Sequence, residues 1–367
     1  MRIVYLADAP YVHTRRWVEH FAAAGWETHV ISFRPAEIAG VQVHYIDGFE
    51  RVGRARYLIH TNRIRRLVRS LEPDLVHAMH LTSYGFLAAL CRARPKLTSV
   101  WGTDILEAPR WSPLHNLITR YALARADHVT ATGLRLASAT LRYAPARTPV
   151  SVVPFGVDVS RFCPAERNGV RPNEIVVGSL GRLSLEKGLD VLLRAAANVI
   201  GRGVPLHVLL VGDGPWRDRL ERQAAQLRIA EHVEFWGEVS HDQVPTALAE
   251  MDIFAMPSRA EGFGVSALEA AAMALPVVGS RVHGIPDVVQ HGTTGLLVPP
   301  GDAKALEEAI EWLAGDAGLR RSMGQAGRAF VQERYRWEES TALMERIYRH
   351  LLAASANNAL RATVRES

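Results

Sequence analysis

Arg182 and Lys187 stand in the turn Gly181-Arg182-Leu183-Ser184-Leu185-Glu186-Lys187-Gly188, between a run of strand character, Ile175 to Leu180, and a stretch of helical character. Such a turn aims backbone N–H groups and both cations at one point, which suits a diphosphate. Two solvated loop charges would read the same at these positions alone. Of 43 basic residues, however, only Lys96, Lys187 and Lys304 are lysine, so Lys187 is set against a background that otherwise writes Arg.

Glu261 and Glu269 lie eight residues apart, separated by Gly262-Phe263-Gly264-Val265-Ser266-Ala267-Leu268. The glycines read as a loop and the remainder as the start of a helix. At ~1.5 Å of rise per residue, Glu269 falls about two turns in, so the carboxylates do not form a compact acid/base pair. They are expected to grip different parts of one elongated ligand, and the N–H groups of Gly262 to Val265 add an anion site at the helix N-terminus. Ala267, Leu268, Ala270, Ala271 and Ala272 make that helix apolar on nearly every face, so Glu269 calls for a partner.

The run Leu209-Leu210-Val211-Gly212-Asp213-Gly214-Pro215-Trp216-Arg217 also follows a strand and opens a helix. It carries Arg217 where a dinucleotide fingerprint needs a third glycine, so it reads as a tight strand-to-helix turn. No Asp-x-Asp motif occurs, and Cys91 and Cys163 cannot form a metal cluster by themselves; no metal site and no cofactor are expected.

These residues need a scaffold, and the chain supplies two. Runs at Ile3 to Leu6, Thr28 to Ser32, Leu75 to Ala78, Thr98 to Val100, Asp127 to Ala131 and Val150 to Val153 alternate with amphipathic stretches, a βαβ rhythm that gives a parallel sheet covered by helices. The segment Pro154 to Pro172 reads as a linker, after which a second series restarts at Glu174 with Ile175 to Leu180, Leu206 to Val211, Val233 to Trp236, Ile253 to Met256 and Pro276 to Gly279. The expected organisation is α/β, with two doubly wound, Rossmann-like domains facing across a cleft, residues 1–165 and 166–336. A helix over 337–355 crosses back to the first domain, and a frayed tail covers 356–367. Ligand is expected at the carboxyl ends of the strands.

Length and composition agree with this. The chain has 367 residues, 48% hydrophobic and 22% charged, which excludes disorder and suits two domains. No apolar stretch approaches the ~20 residues of a membrane span, and the start lacks the apolar core of a signal peptide, so a cytoplasmic location is expected. Residues 1–170 hold 22 Arg/Lys against 13 Asp/Glu (+9), and residues 171–367 hold 21 against 25 (−4). Nucleic acid would explain the basic half, but no recognition helix, zinc pattern or aromatic stacking strip accompanies it.

In their order and spacing, GRLSLEKG, LLVGDGP, the Glu261 to Glu269 element and ALPVVGSRVHGIPDVVQHGTTGLLVPPGD resemble glycosyltransferase family 4, the retaining, nucleotide-sugar-dependent enzymes of the GT-B fold. These motifs cover most of residues 175–302. Earlier matches are looser: His13 to Trp17, HAMHLTSYG from His77 to Gly85, and Trp101 to Asp104. The resemblance implies that Arg182 and Lys187 hold the donor diphosphate, that Glu269 takes the ribose hydroxyls, and that Glu261 with the N–H groups of Gly262 to Gly264 takes the sugar and phosphates. Gly181, Gly212, Gly214, Phe263 and Val265 complete the donor-binding set. Arg182, Lys187 and Glu261 are the catalytic candidates, and Tyr11, His13, His80, Trp101 and Asp104 the sugar and acceptor side. Two departures stand out. Relatives read His-Ala-His where this chain has His77-Ala78-Met79-His80, so either His80 substitutes through a shifted loop or a sugar contact is lost. In His283-Gly284-Ile285-Pro286-Asp287, Gly and Glu are more usual at the two ends.

The expected reaction moves a sugar from a nucleotide diphosphate sugar to a hydroxyl of a glycan or lipid-linked acceptor in envelope glycan, polysaccharide or glycolipid synthesis. The acceptor attacks from the leaving-group face, and a departing phosphate oxygen takes its proton. Arg54 to Arg69 surround Tyr57, Ile64, Leu67 and Val68 at helical spacing, a pattern that fits an anionic membrane surface at the inner face as well as simple packing on the sheet. Other readings are a GT-B sugar-nucleotide epimerase, a phosphorylase, or a non-catalytic sugar-nucleotide-binding protein.

Overall fold

The computed structural model describes residues 1–47, 59–165 and 173–366, with side chains as far as Asn357. The chain divides into two compact units, Met1–Pro154 with Ser340–Ser367, and Phe155–Glu339.

Seven parallel strands build the first unit: β1 (Arg2–Leu6), β2 (Glu27–Ser32), β3 (Gln42–Tyr45), β4 (Leu75–Met79), β5 (Lys96–Val100), β6 (His128–Ala131) and β7 (Val150–Val152). Their order is β3-β2-β1-β4-β5-β6-β7, and the direction of winding reverses between β1 and β4. Ile3, Val4, Tyr5 and Leu6 are all fully buried, as a strand covered by helices on both faces requires. β3 was not foreseen, because Gln42 and Tyr45 are exposed on this edge strand and leave no apolar run to read.

The last helix spans Trp337–Glu366 and corrects the expected tail over 356–367. No Gly or Pro interrupts the sequence from Trp337 to Glu366, so nothing stops the helix at residue 355. From Ser340 onward it belongs to the first unit. A buried chain of hydrogen bonds fixes it there: the Tyr348 hydroxyl lies 2.6 Å from His77 Nδ1 and 3.3 Å from the Tyr5 hydroxyl. His77 Nε2 reaches Ser99 Oγ at 2.7 Å, and Ser99 Oγ reaches Thr130 Oγ1 at 2.6 Å. Burial pushes the His77 imidazole down to about 3, so it is neutral in the fold. His77 is therefore a packing residue of the sheet.

In the second unit, β8 (Ile175–Leu180), β9 (Leu206–Val211), β10 (Val233–Gly237), β11 (Ile253–Met256), β12 (Val277–Ser280) and β13 (Gly295–Val298) form a parallel sheet of order β10-β9-β8-β11-β12-β13. Here the winding reverses between β8 and β11. β8, β9 and β11 have the bounds their apolar runs predict, whereas β13 and the helices Ala303–Gly315 and Ala317–Arg334 go beyond the expected series.

The boundary between units falls at Pro154, earlier than the expected residue 165. Two aromatic side chains explain the shift. Phe155 packs edge-on against Phe263 at 6.1 Å, and Phe162 is buried, its carbonyl accepting a hydrogen bond from Arg328 Nη1 at 2.9 Å. Both anchors lie in the second unit, and their burial outweighs the loop-like composition around them. The remainder of the expected linker, residues 166–172, lies outside the described residues.

Candidate active site

The loop after β8 carries Gly181, the exposed Arg182 and a short 3₁₀ turn, Leu185–Lys187, before the helix Leu189–Gly201 begins. The loop after β11 carries Pro257 to Gly264 and leads into the helix Val265–Ala272. β8 and β11 are neighbours where the winding reverses, the place at which open α/β sheets bind ligands beyond the carboxyl ends of their strands.

Three contacts tie these loops together. Lys187 Nζ donates to Glu261 Oε2 at 2.7 Å, an ion pair with side chains 28% and 15% exposed, so water screens it only partly. Arg259 lays its guanidinium fork on Asp190, at 2.7 and 2.8 Å, and Arg259 Nη1 also donates to the Leu185 carbonyl at 2.9 Å. Gly188 has φ 65°, and a Cβ there would lie 2.0 Å from the Pro257 carbonyl oxygen, so only glycine allows so close an approach.

The loop after β9 is laced to the loop after β8 in the same way. The Gly181 N–H donates to the Val211 carbonyl at 2.9 Å and the Leu183 N–H to the Asp213 carbonyl at 2.9 Å. A Cβ on Gly212 would lie 2.0 Å from the Gly181 carbonyl oxygen, and one on Gly214 would lie 2.4 Å from that of Leu183. Gly212 and Gly214 thus act by permitting close packing, as a tight turn would.

Glu269 lies in its helix at 5% exposure, and the structure supplies a partner that the sequence left unnamed, His241, whose Nε2 sits 3.4 Å from Glu269 Oε1. Two expectations for this loop need correction. The Gly262 N–H, assigned to a ligand anion, donates to Glu261 Oε1 at 3.1 Å. Phe263 is 2% exposed and packs between Phe155 and Tyr335, so its side chain belongs to the core. Val265 is half-buried and Gly264, with φ 94°, starts the helix. His283 adopts φ 39°, which explains why glycine is usual there, and its Nδ1 accepts from the Glu261 N–H at 3.4 Å.

At the carboxyl ends of β1, β4 and β5 the first unit gathers a second set. Tyr11, His13 and Trp101 form an aromatic cluster, with ring centroids 5.2 Å apart for Tyr11 and His13, 5.7 Å for Tyr11 and Trp101, and 6.2 Å for His13 and Trp101. Asp104 is corrected to a structural role: it is 1% exposed, and its carboxylate accepts N–H groups from Leu81 and Gly102, both at 2.8 Å, and from Trp101 at 3.2 Å. Three such bonds leave it little capacity for an acceptor.

Met79 is 1% exposed and faces the core, so it makes no sugar contact. His80 follows with φ 82° and ψ 111°, a conformation that costs a non-glycine residue of order 1–3 kcal/mol. The segment Leu81–Gly85 is a single π-helical turn, which takes up one residue more than an α-helical turn. His80, half-buried with Nδ1 3.0 Å from Ser83 Oγ, stands at the strand end just before that wide turn. Asp190, Arg259 and His241 escaped the sequence reading. Arg259, a third cation just ahead of Glu261, offered the only cue.

Two family descriptions match the chain, Glycosyl transferase 4-like over residues 2–133 and Glycosyl transferases group 1 over residues 165–330. A GDP-mannose-dependent alpha-(1-6)-phosphatidylinositol monomannoside mannosyltransferase of Mycolicibacterium smegmatis is 34% identical over 301 residues, 75% of this chain and 76% of its own. The chain belongs to glycosyltransferase family 4. An N-acetyl-alpha-D-glucosaminyl L-malate synthase of Bacillus anthracis is 30% identical over 295 residues, 77% of this chain and 76% of its own. Among solved structures, sucrose-phosphate synthase from Thermosynechococcus elongatus superposes with a TM-score of 0.86 at 22% identity, over 96% of this chain and 100% of that one. Anabaena HepE in complex with UDP and glucose gives 0.81 at 21% identity, over 95% and 99%. These likenesses establish the GT-B fold. As a family 4 glycosyltransferase the enzyme is retaining and metal-independent, and the epimerase, phosphorylase and sensor readings are not favoured.

Proposed function

We propose that this family 4 enzyme transfers a hexose from a nucleoside diphosphate sugar to a hydroxyl of a glycolipid or glycan acceptor, and that the second unit holds the donor at the ends of β8 and β11. The observation that carries this reading is the Lys187–Glu261 pair, which joins the loops after β8 and β11, with the exposed Arg182 on the first loop and the buried Glu269 on the helix that follows the second. Arg182 is exposed and has no hydrogen-bond partner among the described residues, so its guanidinium is available to a phosphate. Glu269 takes the ribose hydroxyls, where a carboxylate can accept two hydrogen bonds at once.

In this reading the acceptor hydroxyl attacks the anomeric carbon from the face the diphosphate leaves. Its proton passes to a departing phosphate oxygen as the glycosidic bond forms and the anomeric C–O bond breaks. Charge accumulates on the leaving group, and Arg182 with Lys187 stabilises it there without a metal clamp. The wide turn after β4 supports His80 as the sugar-side histidine, and the Tyr11, His13 and Trp101 rings offer flat apolar faces to a sugar or acceptor.

GDP-mannose is the donor to test first, since relatives are named for it, while HepE was solved with UDP. Calorimetric titration of wild type and Glu269→Ala with GDP, UDP, ADP, dTDP and NAD decides the matter. Tight binding of one nucleoside diphosphate, weakened in the variant, is expected; binding of NAD alone, or of none, would overturn the donor assignment. Location at the inner membrane face is part of the same proposal. No helix among the described residues is long and apolar enough to cross a membrane. The basic helix Thr61–Ser70 turns Arg63, Arg66 and Arg69 outward; Arg54, Arg56 and Tyr57 of the expected stretch lie outside the described residues.

A further inference from the structure

His241 belongs to a surface loop, yet its imidazole meets the buried Glu269 carboxylate. The loop leaves β10, makes the one-turn 3₁₀ segment His241–Gln243 and enters the helix Val244–Ala249. Its internal bonds close the turn, the Ser240 N–H donating to Gln243 Oε1 at 3.0 Å, but they do not orient the His241 ring. That orientation comes from two consecutive residues far away in sequence.

Arg161 Nη2 donates to the His241 carbonyl and, at 2.8 Å, to Asp242 Oδ1. Arg161 is set in turn by Asp158, whose Oδ1 accepts the Arg161 N–H at 3.1 Å and whose carbonyl accepts the Phe162 N–H at 2.9 Å. Phe162, 2% exposed, then lies against the imidazole of His241, with ring centroids 5.9 Å apart and planes inclined at 60°. The backbone and the ring of His241 are thus both held from outside its loop.

The same two residues are tied to the helix that bears Glu269. Arg328 Nη1 donates to the Phe162 carbonyl at 2.9 Å and also to the carbonyl of Ala272, the last residue of the helix Val265–Ala272. A guanidinium there satisfies a carbonyl that the helix leaves open and meets the negative end of the helix dipole. Arg161 and Phe162 therefore link the His241 turn to the far end of Glu269's own helix, and the 3.4 Å approach of His241 Nε2 to Glu269 Oε1 lies within this circuit. That separation is already longer than an ordinary hydrogen bond, so a small shift of the turn breaks it. Folding stability does not account for the arrangement: the Asp242 side chain is 91% exposed, and an ion pair to so exposed a carboxylate adds little.

We infer that Arg161 is a positioning residue, which together with Phe162 holds His241 in register with Glu269 and through that pair sets the affinity for the donor. The hold on His241 stands on the contacts above; its effect on the donor rests on the reading that Glu269 takes the ribose.

The test is calorimetry of the full chain with GDP and UDP, joined to steady-state kinetics. Arg161→Ala is expected to raise the Kd of the diphosphate that wild type binds by about tenfold, the scale of one hydrogen bond to a charged group, and to raise the donor KM with little change in kcat. Its Tm should stay close to that of wild type, and Arg161→Lys, which keeps a cationic donor, should recover part of the affinity. In a His241→Ala background Arg161→Ala should cost nothing further, because the residue it acts through is gone. Additive losses in that double variant, an unchanged Kd in Arg161→Ala, or a fall in Tm without a loss of binding would each overturn the inference. Glu269→Ala, titrated alongside, keeps the two readings apart: wild-type affinity in that variant would sink the donor assignment alone. The hold on His241 is then read from its ring resonance in histidine-labelled protein, identified by its absence from His241→Ala. Arg161→Ala should shift that resonance, and an unshifted one would overturn the inference whatever the donor.

Discussion

The Lys187 ammonium rests 2.7 Å from Glu261 Oε2 and so joins the loop after β8 to the loop after β11 by one ion pair. The pair resolves a difficulty in the donor reading, since a lone carboxylate beside a diphosphate would repel it. With Lys187 paired to it, the Glu261 carboxylate would be offset where the proposed donor diphosphate binds.

Lys187→Ala should therefore remove a charge stabiliser and also leave Glu261 uncompensated. The expected loss is ~2–4 kcal/mol of barrier, or about 30-fold to 10³-fold in kcat, as for the loss of an oxyanion donor. Glu261→Gln should lose less in kcat, because Lys187 keeps its charge. Steady-state kinetics of transfer or donor hydrolysis checks both, and near-full turnover in Lys187→Ala would sink the assignment.

His241 Nε2 lies 3.4 Å from Glu269 Oε1, so if Glu269 takes the ribose as proposed, His241 would serve to position it. His241→Ala should weaken nucleoside diphosphate binding by an amount in the range of a hydrogen bond to a charged group, ~1.5–3 kcal/mol, and His241→Gln should recover part of it. Calorimetric Kd values decide this. Identical affinities in wild type and His241→Ala would remove His241 from the site.

Gly188→Ala probes the meeting of the two loops. The left-handed conformation alone costs about 1–2 kcal/mol for alanine, and the Pro257 carbonyl must move as well. A lower Tm together with weaker donor binding is expected from thermal unfolding and calorimetry. A stability loss with unchanged binding would show that the spacing of the loops does not matter to the donor.

His77 makes the first unit acid-sensitive. The imidazole is held down to about 3 in the fold, whereas the unfolded chain takes up the proton near 6.5. Between these values the unfolded state binds more protons. Stability is thus full above about pH 6.5 and falls as pH drops toward 3, with a limiting slope of about 1.4 kcal/mol per pH unit for one group. Tyr348→Phe, which strips His77 Nδ1 of its partner, should cost ~1–3 kcal/mol at neutral pH. Denaturant unfolding of wild type and His77→Gln across this range tests the slope, which the Gln variant should flatten.

Sequence alone determined what depends on local spacing. Apolar runs alternating with helical stretches gave both parallel sheets, since a strand buried on two faces must be largely apolar, as Ile3 to Leu6 is and as Leu206 to Val211 is apart from His207. The order of GRLSLEKG, LLVGDGP and the Glu261 to Glu269 element gave the family, because these turns have to combine glycine with charge at fixed offsets. The tertiary structure decided which of those groups meet. Lys187 pairs with Glu261 across 74 positions, and Tyr348 reaches His77 across 271, separations at which no periodicity carries information. Burial likewise decided that Asp104 and Phe263 serve the scaffold and that Met79 turns inward while His80 stands at the strand end. Exposure is set by what the rest of the chain packs against a residue, and residue type by itself does not fix that.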